Sequence, residues 1–187
     1  VTIRISNRTV PDLDDVVHIM AVAVGGIVDR RVEYVEVLAV NMAGKKRSVL
    51  KTKAKVTPNA AKSVGKLPLA KLADDEFVFM EWKDAKGNLL GENDFFPRAY
   101  KYYDVPDAKI KTAWASTDGR PTLTLSTDRP AFFVSAGTSL PGYFSDNGLT
   151  LLPGRDVTLT FTSRKGEKVT QQDLQKSLKI QHLAETF

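Results

Sequence analysis

Short stretches in which apolar and polar residues alternate fill most of the chain, and this alternation limits the possible folds more than any other feature. The clearest example is the stretch 157–162, in which Val, Leu and Phe alternate with threonines. A period of two places successive side chains on opposite faces of an extended strand, so one face packs into a core while the other meets water. The pattern therefore predicts half-buried antiparallel strands.

Turn-forming residues separate these stretches, for example Asp-Ala-Lys-Gly-Asn at 84–88 and Asp-Asn-Gly at 146–148. The predicted strands are 2–6, 16–24, 32–40, 48–56, 77–82, 88–96, 109–115, 122–126, 131–136, 149–152, 157–162 and 178–183. They recur at the spacing of about 8 to 12 residues that is typical of β-sandwiches. One short helix is predicted over 170–176, with Thr170 as its cap and Asp173 three residues later. The predicted fold class is all-β.

The number of strands indicates two domains. About a dozen strands exceed the seven of a single constant-type sandwich. The segment 97–106 interrupts the alternation and has a proline at each end. The sequence therefore predicts two antiparallel β-sandwich domains in tandem, residues 1–103 and 104–187.

Composition excludes several kinds of active site. The 187-residue chain has no cysteine, which rules out disulfides and cysteine nucleophiles, and its two histidines are too few for a three-histidine zinc site. P-loops, dinucleotide fingerprints and nucleophile elbows do not occur in the sequence. We therefore predict no catalytic residue, no metal site and no cofactor in this chain.

Charge and hydropathy limit the partners. The net charge is +5, and six of the eleven residues from Lys45 to Lys55 are basic. Lys51, Lys53 and Lys55 alternate with uncharged residues, a pattern typical of a strand rim protected against edge pairing, so no nucleic-acid partner is predicted. The longest apolar stretch, 16–28, is shorter than the roughly 18 to 20 residues that span a membrane, so no membrane partner is predicted. The compartment stays open, with a periplasmic or extracellular location preferred to a cytoplasmic one.

Four aromatic residues at or near the domain boundary are candidates for sugar binding: Tyr100, Tyr102, Tyr103 and Trp114. Exposed rings could stack on the pyranose faces of a mannan-type oligosaccharide. Packing between the two domains is the preferred interpretation, because a short connection needs apolar contacts to fix the domain angle.

Residues 141–154 read Pro-Gly-Tyr-Phe-Ser-Asp-Asn-Gly-Leu-Thr-Leu-Leu-Pro-Gly. This segment resembles a signature in the C-terminal immunoglobulin-like domain of glycoside hydrolase family 2 β-mannosidases. Residues 127–134, Thr-Asp-Arg-Pro-Ala-Phe-Phe-Val, and the region 84–101 are similar to further segments of that family. The signature is interpreted as a structural motif of turns and core positions, carried by Phe144, Ser145, Asp146, Asn147, Leu151, Pro153 and Gly154.

The resemblance implies two immunoglobulin-like sandwiches at the C-terminal end of a retaining exo-glycosidase that releases terminal β-mannose. In that family two catalytic glutamates lie in a preceding (β/α)₈ barrel, and the Asn-Glu dipeptide that carries one of them is absent from this sequence. The chain is therefore expected to be a non-catalytic accessory fragment whose partner is the barrel. The related exo-β-glucosaminidases leave the parent substrate open. A carbohydrate-binding module and a protein-interaction module are the alternatives.

Overall fold

The computed structural model of the protein describes residues 2–6, 16–22, 34–54, 61–164 and 169–186. The described residues are mostly antiparallel strands with one short α-helix, which confirms the all-β prediction. The chain divides into two compact units. The first contains Val1–Asn41 and Lys45–Tyr103, and the second contains Met42–Gly44 and Asp104–Phe187.

The first unit contains a three-stranded and a four-stranded sheet, both antiparallel. The three-stranded sheet has the order β1-β2-β5, with β1 Thr2–Ser6, β2 Val16–Val22 and β5 Ala61–Pro68. The four-stranded sheet has the order β4-β3-β6-β7, with β3 Tyr34–Asn41, β4 Lys46–Lys53, β6 Glu76–Lys83 and β7 Leu89–Phe95. The lysine-rich strand β4 lies at a sheet edge, as its charge pattern predicts.

The core of this unit joins its two sheets. On the four-stranded sheet Val35, Val37 and Met80 are buried, with Val37 directly opposite Met80 on the neighbouring strand. They pack in one cluster with Ile19 and Leu67 of the three-stranded sheet. The sheets therefore lie face to face, and the period-two pattern of β3 places its alternate residues in the space between them.

The second unit also contains two sheets. One has the order β11-β13-β9-β8, with β8 Ile110–Thr117, β9 Arg120–Thr127, β11 Gly142–Phe144 and β13 Val157–Ser163. The other has the order β12-β10-β14, with β10 Ala131–Gly137, β12 Leu149–Leu151 and β14 Lys179–Gln181. Leu159 and Phe161 of β13 are buried while Thr158 is exposed, which confirms the strand predicted from the alternation of 157–162.

The α-helix of the described residues, α1, spans Gln171–Ser177 and begins where its sequence predicts. The Thr170 hydroxyl accepts a hydrogen bond from the Asp173 amide, and the Asp173 carboxylate accepts one from the Thr170 amide. Hydrogen bonding by Thr170 also holds the pKa of Asp173 below its ordinary value. This reciprocal cap fixes the first turn, and Leu174 then enters the core of the second unit.

Sequence reasoning missed two strands, β5 and β11. Strand β5 reads Ala-Lys-Ser-Val-Gly-Lys-Leu-Pro, in which glycine and lysine interrupt the apolar period. A Cβ at Gly65 would stand 2.3 Å from Cδ2 of Leu50, so a larger residue at this position would have to displace the Leu50 side chain. Strand β11 has three residues, too few to show a period.

We expect residues 104–187 to fold when residues 1–103 are deleted, because the buried cluster of the second unit runs from Ala108 to Leu174. A dispersed amide spectrum of the shortened chain, with the spectrum of the full chain as reference, would support independent folding. A collapsed spectrum would contradict it and show that the chain is one cooperative unit.

Candidate functional site

The signature segment begins with an aromatic anchor in the second unit. Phe144, the last residue of β11, is buried. Its ring lies edge-on to Phe161, with 5.4 Å between centroids, and 6.4 Å from the ring of Trp114. The anchor therefore belongs to the core.

Beyond β11, side chains of the signature take over hydrogen bonds that a main chain would otherwise make. Ser145 donates its amide to the Thr160 carbonyl at 2.9 Å, and its Oγ accepts from the Thr160 amide at 3.0 Å. Asn147 Oδ1 accepts from the amide of Ala136 at 3.0 Å. Since Val134 pairs with Leu149, Ala136 falls opposite Asn147, so this side chain extends the β10–β12 ladder by two residues on each strand.

The rest of the signature forms turns and core. Asp146 Oδ1 accepts from the Asn147 amide at 2.7 Å. Leu151 is fully buried. Pro153 and Gly154 occupy the centre of a turn closed by a 3.1 Å hydrogen bond from the Arg155 amide to the Leu152 carbonyl, and Gly154 supplies the φ of +71°. All seven residues of the interpreted structural motif thus lie in the core or in turns of the second unit.

Gly142 is a packing requirement that the sequence does not reveal. A Cβ at this position would lie 2.2 Å from Cζ of Phe161 and 2.6 Å from the Thr162 carbonyl oxygen. Strands β11 and β13 can pair at this point because residue 142 has no side chain.

The tyrosine cluster of the first unit covers the outer face of β6. Phe96 stacks on Phe77 of that strand, with 4.9 Å between centroids and 3° between planes. Tyr100 and Tyr103 then contact Phe96 at centroid distances of 4.5 and 5.5 Å. These rings are part of the packing of the first unit, so the segment that interrupts the alternation is built into this unit.

The polar ends of two of these tyrosines are also occupied or shielded. The Tyr103 side chain is 8% exposed, and its hydroxyl donates to the Glu76 carbonyl at 3.4 Å. Burial, followed by the negative charge of Asp94, raises the pKa of Tyr100 to about 12. The Tyr100 phenol therefore stays neutral at physiological pH, and the packing of both side chains fits a structural role.

Of the four aromatic residues predicted for sugar binding, Tyr102 alone has an open ring. It is 62% exposed, with Lys101 Nζ 5.0 Å from the ring centroid. Trp114 is half-buried and packs on the core of the second unit.

Sequence reasoning missed Tyr143, which is 54% exposed. The exposure of Tyr143 could have been predicted, because Tyr143 directly precedes the core residue Phe144 in a strand and its side chain must point to the opposite face.

A partly buried ion pair of the first unit was also missed. Glu76 Oε1 and Oε2 accept from Arg47 Nε at 2.8 Å and Nη2 at 2.5 Å, and Oε2 also accepts from the Ala73 amide at 2.8 Å. Hydrogen bonding by Arg47 holds the pKa of Glu76 below its ordinary value, although burial opposes this shift. The pair ties the edge strand β4 to the start of β6.

Two glutamates lie side by side on the outer face of the four-stranded sheet, where Glu36 is opposite Glu81. Lys83 Nζ lies 2.6 Å from Glu81 and 3.3 Å from Glu36. The Glu81 hydrogen bond is the largest cause of the raised pKa of Lys83. One ammonium group therefore pairs with both carboxylates, which fits a structural ion cluster.

His182 is buried in the second unit. Its Nε2 lies 3.8 Å from a carboxylate oxygen of Glu185 and 4.0 Å from one of Asp107. Its Nδ1 has no hydrogen-bond partner among the described residues.

No group of three or more potential ligand side chains within the described ranges could hold a metal ion. Within those same ranges, no helix is long and apolar enough to cross a membrane.

Residues 105–186 match the family model Ig_mannosidase, an Ig-fold domain. The resemblance to the mannosidase-type immunoglobulin-like domain is thereby confirmed over these residues. No curated protein matches the chain.

The chain is similar to two solved structures, of which the first shows the same fold. The β-D-mannosidase from Dictyoglomus thermophilum matches with a TM-score of 0.74 and 16% identity, over 97% of this chain and 21% of that chain. The exo-chitosanase CsxA from Amycolatopsis orientalis matches with a TM-score of 0.47 and 19% identity, over 96% of this chain and 25% of that chain. The chain thus spans about a fifth of the length of the mannosidase.

Replacing Gly142 with alanine should lower the free energy of unfolding by about 1–3 kcal/mol, because the new methyl group overlaps Phe161. Gly137→Ala is the matched control, since its Cβ would meet its nearest atom at 3.9 Å. Chemical denaturation of both variants measures the difference. Equal stabilities would show that β11 moves away without cost.

Leu151→Ala should cost about 2–5 kcal/mol, because Leu151 is fully buried and the truncation leaves a cavity. Leu89→Ala, at a position that is 44% exposed, should change stability by less than about 0.5 kcal/mol. A denaturation shift at Leu151 under about 1 kcal/mol would contradict its place in the core.

Glu76→Gln should destabilise the protein at neutral pH by about 1–2 kcal/mol through loss of the charged hydrogen bonds to Arg47. The folded pKa of Glu76 is lowered, so its stabilisation is complete above the unfolded pKa of about 4.3 and disappears as pH falls through the folded pKa. Unfolding curves from pH 7 to pH 3 should therefore show the two proteins converging. The exposed Asp75→Asn serves as control, and a constant gap would refute the assignment.

Proposed function

We propose that the chain is a non-catalytic accessory region, with a scaffold role, at the C-terminal end of a β-mannosidase-like retaining exo-glycosidase that hydrolyses terminal β-mannosides. The match of residues 105–186 to the mannosidase-type Ig-fold domain carries the proposal. The β-D-mannosidase fold match supports it, because this chain corresponds to about a fifth of that enzyme.

The contacts of the acidic side chains and of the signature residues agree with a scaffold role. Retaining glycosidases place two carboxyl groups about 5 to 5.5 Å apart on either side of the bond that they cleave. Glu36 and Glu81, the adjacent carboxylates in the described sheet, share the ammonium group of Lys83. The signature residues are likewise engaged in turns and packing, with Asn147 and Ser145 bonded to neighbouring strands.

The proposed partner is the catalytic (β/α)₈ barrel of the same parent enzyme. Two sandwich units, each with its own buried cluster, are suited to hold their shape beside such a barrel. Substrate binding and hydrolysis would then belong to the barrel.

The coding sequence upstream of Val1 provides the first test. Transcript sequencing should show that the reading frame continues upstream for a length sufficient for a barrel. The added protein sequence should contain the Asn-Glu dipeptide. A reading frame that starts close to Val1 would overturn the proposal.

An activity and binding measurement provides the second test. The chain should neither hydrolyse a chromogenic β-mannoside nor bind mannobiose, mannopentaose or soluble mannan in a calorimetric titration. A purified β-mannosidase serves as the positive control for hydrolysis. Turnover that survives repurification would mean that the chain carries an active site.

A carbohydrate-binding module is the second candidate, and the exposed ring of Tyr102 is the observation that favours it. Rings with open faces can stack on sugars, whereas Tyr103 is too buried to do so. If titration detects mannan binding, Tyr102→Ala should abolish it, and Tyr143→Ala, which removes an exposed ring from the other unit, is the matched control. Binding that survives Tyr102→Ala would rule out Tyr102 as the platform.

A further inference from the structure

Asn147 and Gly148 form the one Asn-Gly pair in the sequence. In such a pair the main-chain nitrogen of glycine can attack the side-chain carbonyl carbon of asparagine, because glycine has no Cβ to obstruct the approach. A bond forms between Gly148 N and Asn147 Cγ, the Cγ–Nδ2 bond breaks, and the side-chain nitrogen leaves as ammonia. The Gly148 amide proton passes to solvent, and the departing nitrogen takes up a proton from solvent, so that ammonia leaves with no net gain or loss of protons. Water then opens the cyclic succinimide at either carbonyl, which gives aspartate or isoaspartate.

The structure holds Asn147 away from this reaction. Its Oδ1 accepts hydrogen bonds from the amide of Ala136 at 3.0 Å and from the amide of Gly148 at 3.1 Å. A nitrogen that donates to Oδ1 approaches near the plane of the carboxamide group, whereas attack on Cγ requires approach across that plane. The carboxamide must therefore rotate before the ring can close.

Rotation of the Asn147 carboxamide is unfavourable for the Ala136 amide, which donates to it. Ala136 is buried in the central strand β10, so its amide would lose its acceptor when the Asn147 side chain turns away. A buried amide without a partner is unfavourable. The Ala136 hydrogen bond thus acts against the geometry that deamidation needs.

We propose that Asn147 is a spontaneous deamidation site gated by the hydrogen bond from the Ala136 amide. The site is protected while the β10 contact is closed, and it reacts when that contact opens. Asn147 itself is exposed, so water is available for the hydrolysis step once the ring has formed.

The two products differ in their effect on the fold. Aspartate keeps an acceptor oxygen at the same place, so it can retain the Ala136 bond. Isoaspartate adds a methylene group to the main chain and moves the carboxylate, so the extension of the β10–β12 ladder is lost. Damage to the second unit therefore arises from the isoaspartate product.

The test follows deamidation of the full chain in mildly alkaline buffer by peptide mapping and mass spectrometry. The rate at Asn147 should be at least about fivefold lower without urea than in urea that unfolds the chain, since a net hydrogen bond of about 1 kcal/mol corresponds to that factor. Asn88 and Asn93, which are followed by Leu89 and Asp94, are internal controls for an asparagine without glycine. Equal rates at Asn147 in the folded and unfolded chain would overturn the proposal.

Hydrogen exchange tests whether opening of the Ala136–Asn147 hydrogen bond, rather than some other opening of the structure, controls deamidation. As urea rises, the deamidation rate at Asn147 and the exchange rate of the Ala136 amide should increase in parallel. Deamidation that accelerates while the Ala136 amide stays protected would refute the gate.

The Asn147→Asp variant tests whether the isoaspartate product, rather than the aspartate product, destabilises the second unit. Its thermal stability should stay close to that of the parent chain, while protein aged in urea and refolded should melt at a lower temperature in proportion to its isoaspartate content. An equal loss of stability in the variant would show that the new charge, rather than the altered main chain, is responsible.

Discussion

The burial of alternate side chains between two sheets is the interaction on which each unit depends. It requires that both sheets present apolar residues with a period of two, as β3 and β13 do. It also requires that main-chain groups remain bonded where the strands end, since a buried amide or carbonyl without a partner offsets the gain from apolar burial. Ser145 and Asn147 meet the second requirement for the second unit by bonding to the main chain of Thr160 and Ala136.

Long strands with a strict alternation were predictable from the sequence, because a period of two that persists along a whole segment fits a half-buried strand and does not fit a helix. The capped helix was predictable for a similar reason, since Thr170 and Asp173 form a local signal. Strands β5 and β11 were not, because their pairing comes from neighbours rather than from their own pattern. Gly142 shows this clearly, because the glycine is required by the Phe161 ring and the Thr162 carbonyl oxygen, both distant in sequence.

The candidate site shows the same division between local and tertiary information. The turn residues of the signature were predictable, because turn chemistry is local. The exposure of Tyr102 was not, because Tyr102 and Tyr103 lie outside any strand, where no alternation tells which ring is open and which is buried. The Arg47–Glu76 pair joins residues 29 positions apart, and no pattern within either segment indicates it.

The glycine beneath Phe161 links two positions of the chain in any protein that shares this packing. A side chain at residue 142 would need room from the ring at 161 and also a shift of β11 away from the Thr162 carbonyl oxygen. The two positions should therefore change together during evolution, with a bulky residue at one coupled to a compact residue at the other. A homologous chain with alanine at the first position and phenylalanine at the second would be expected to have a displaced or shortened edge strand.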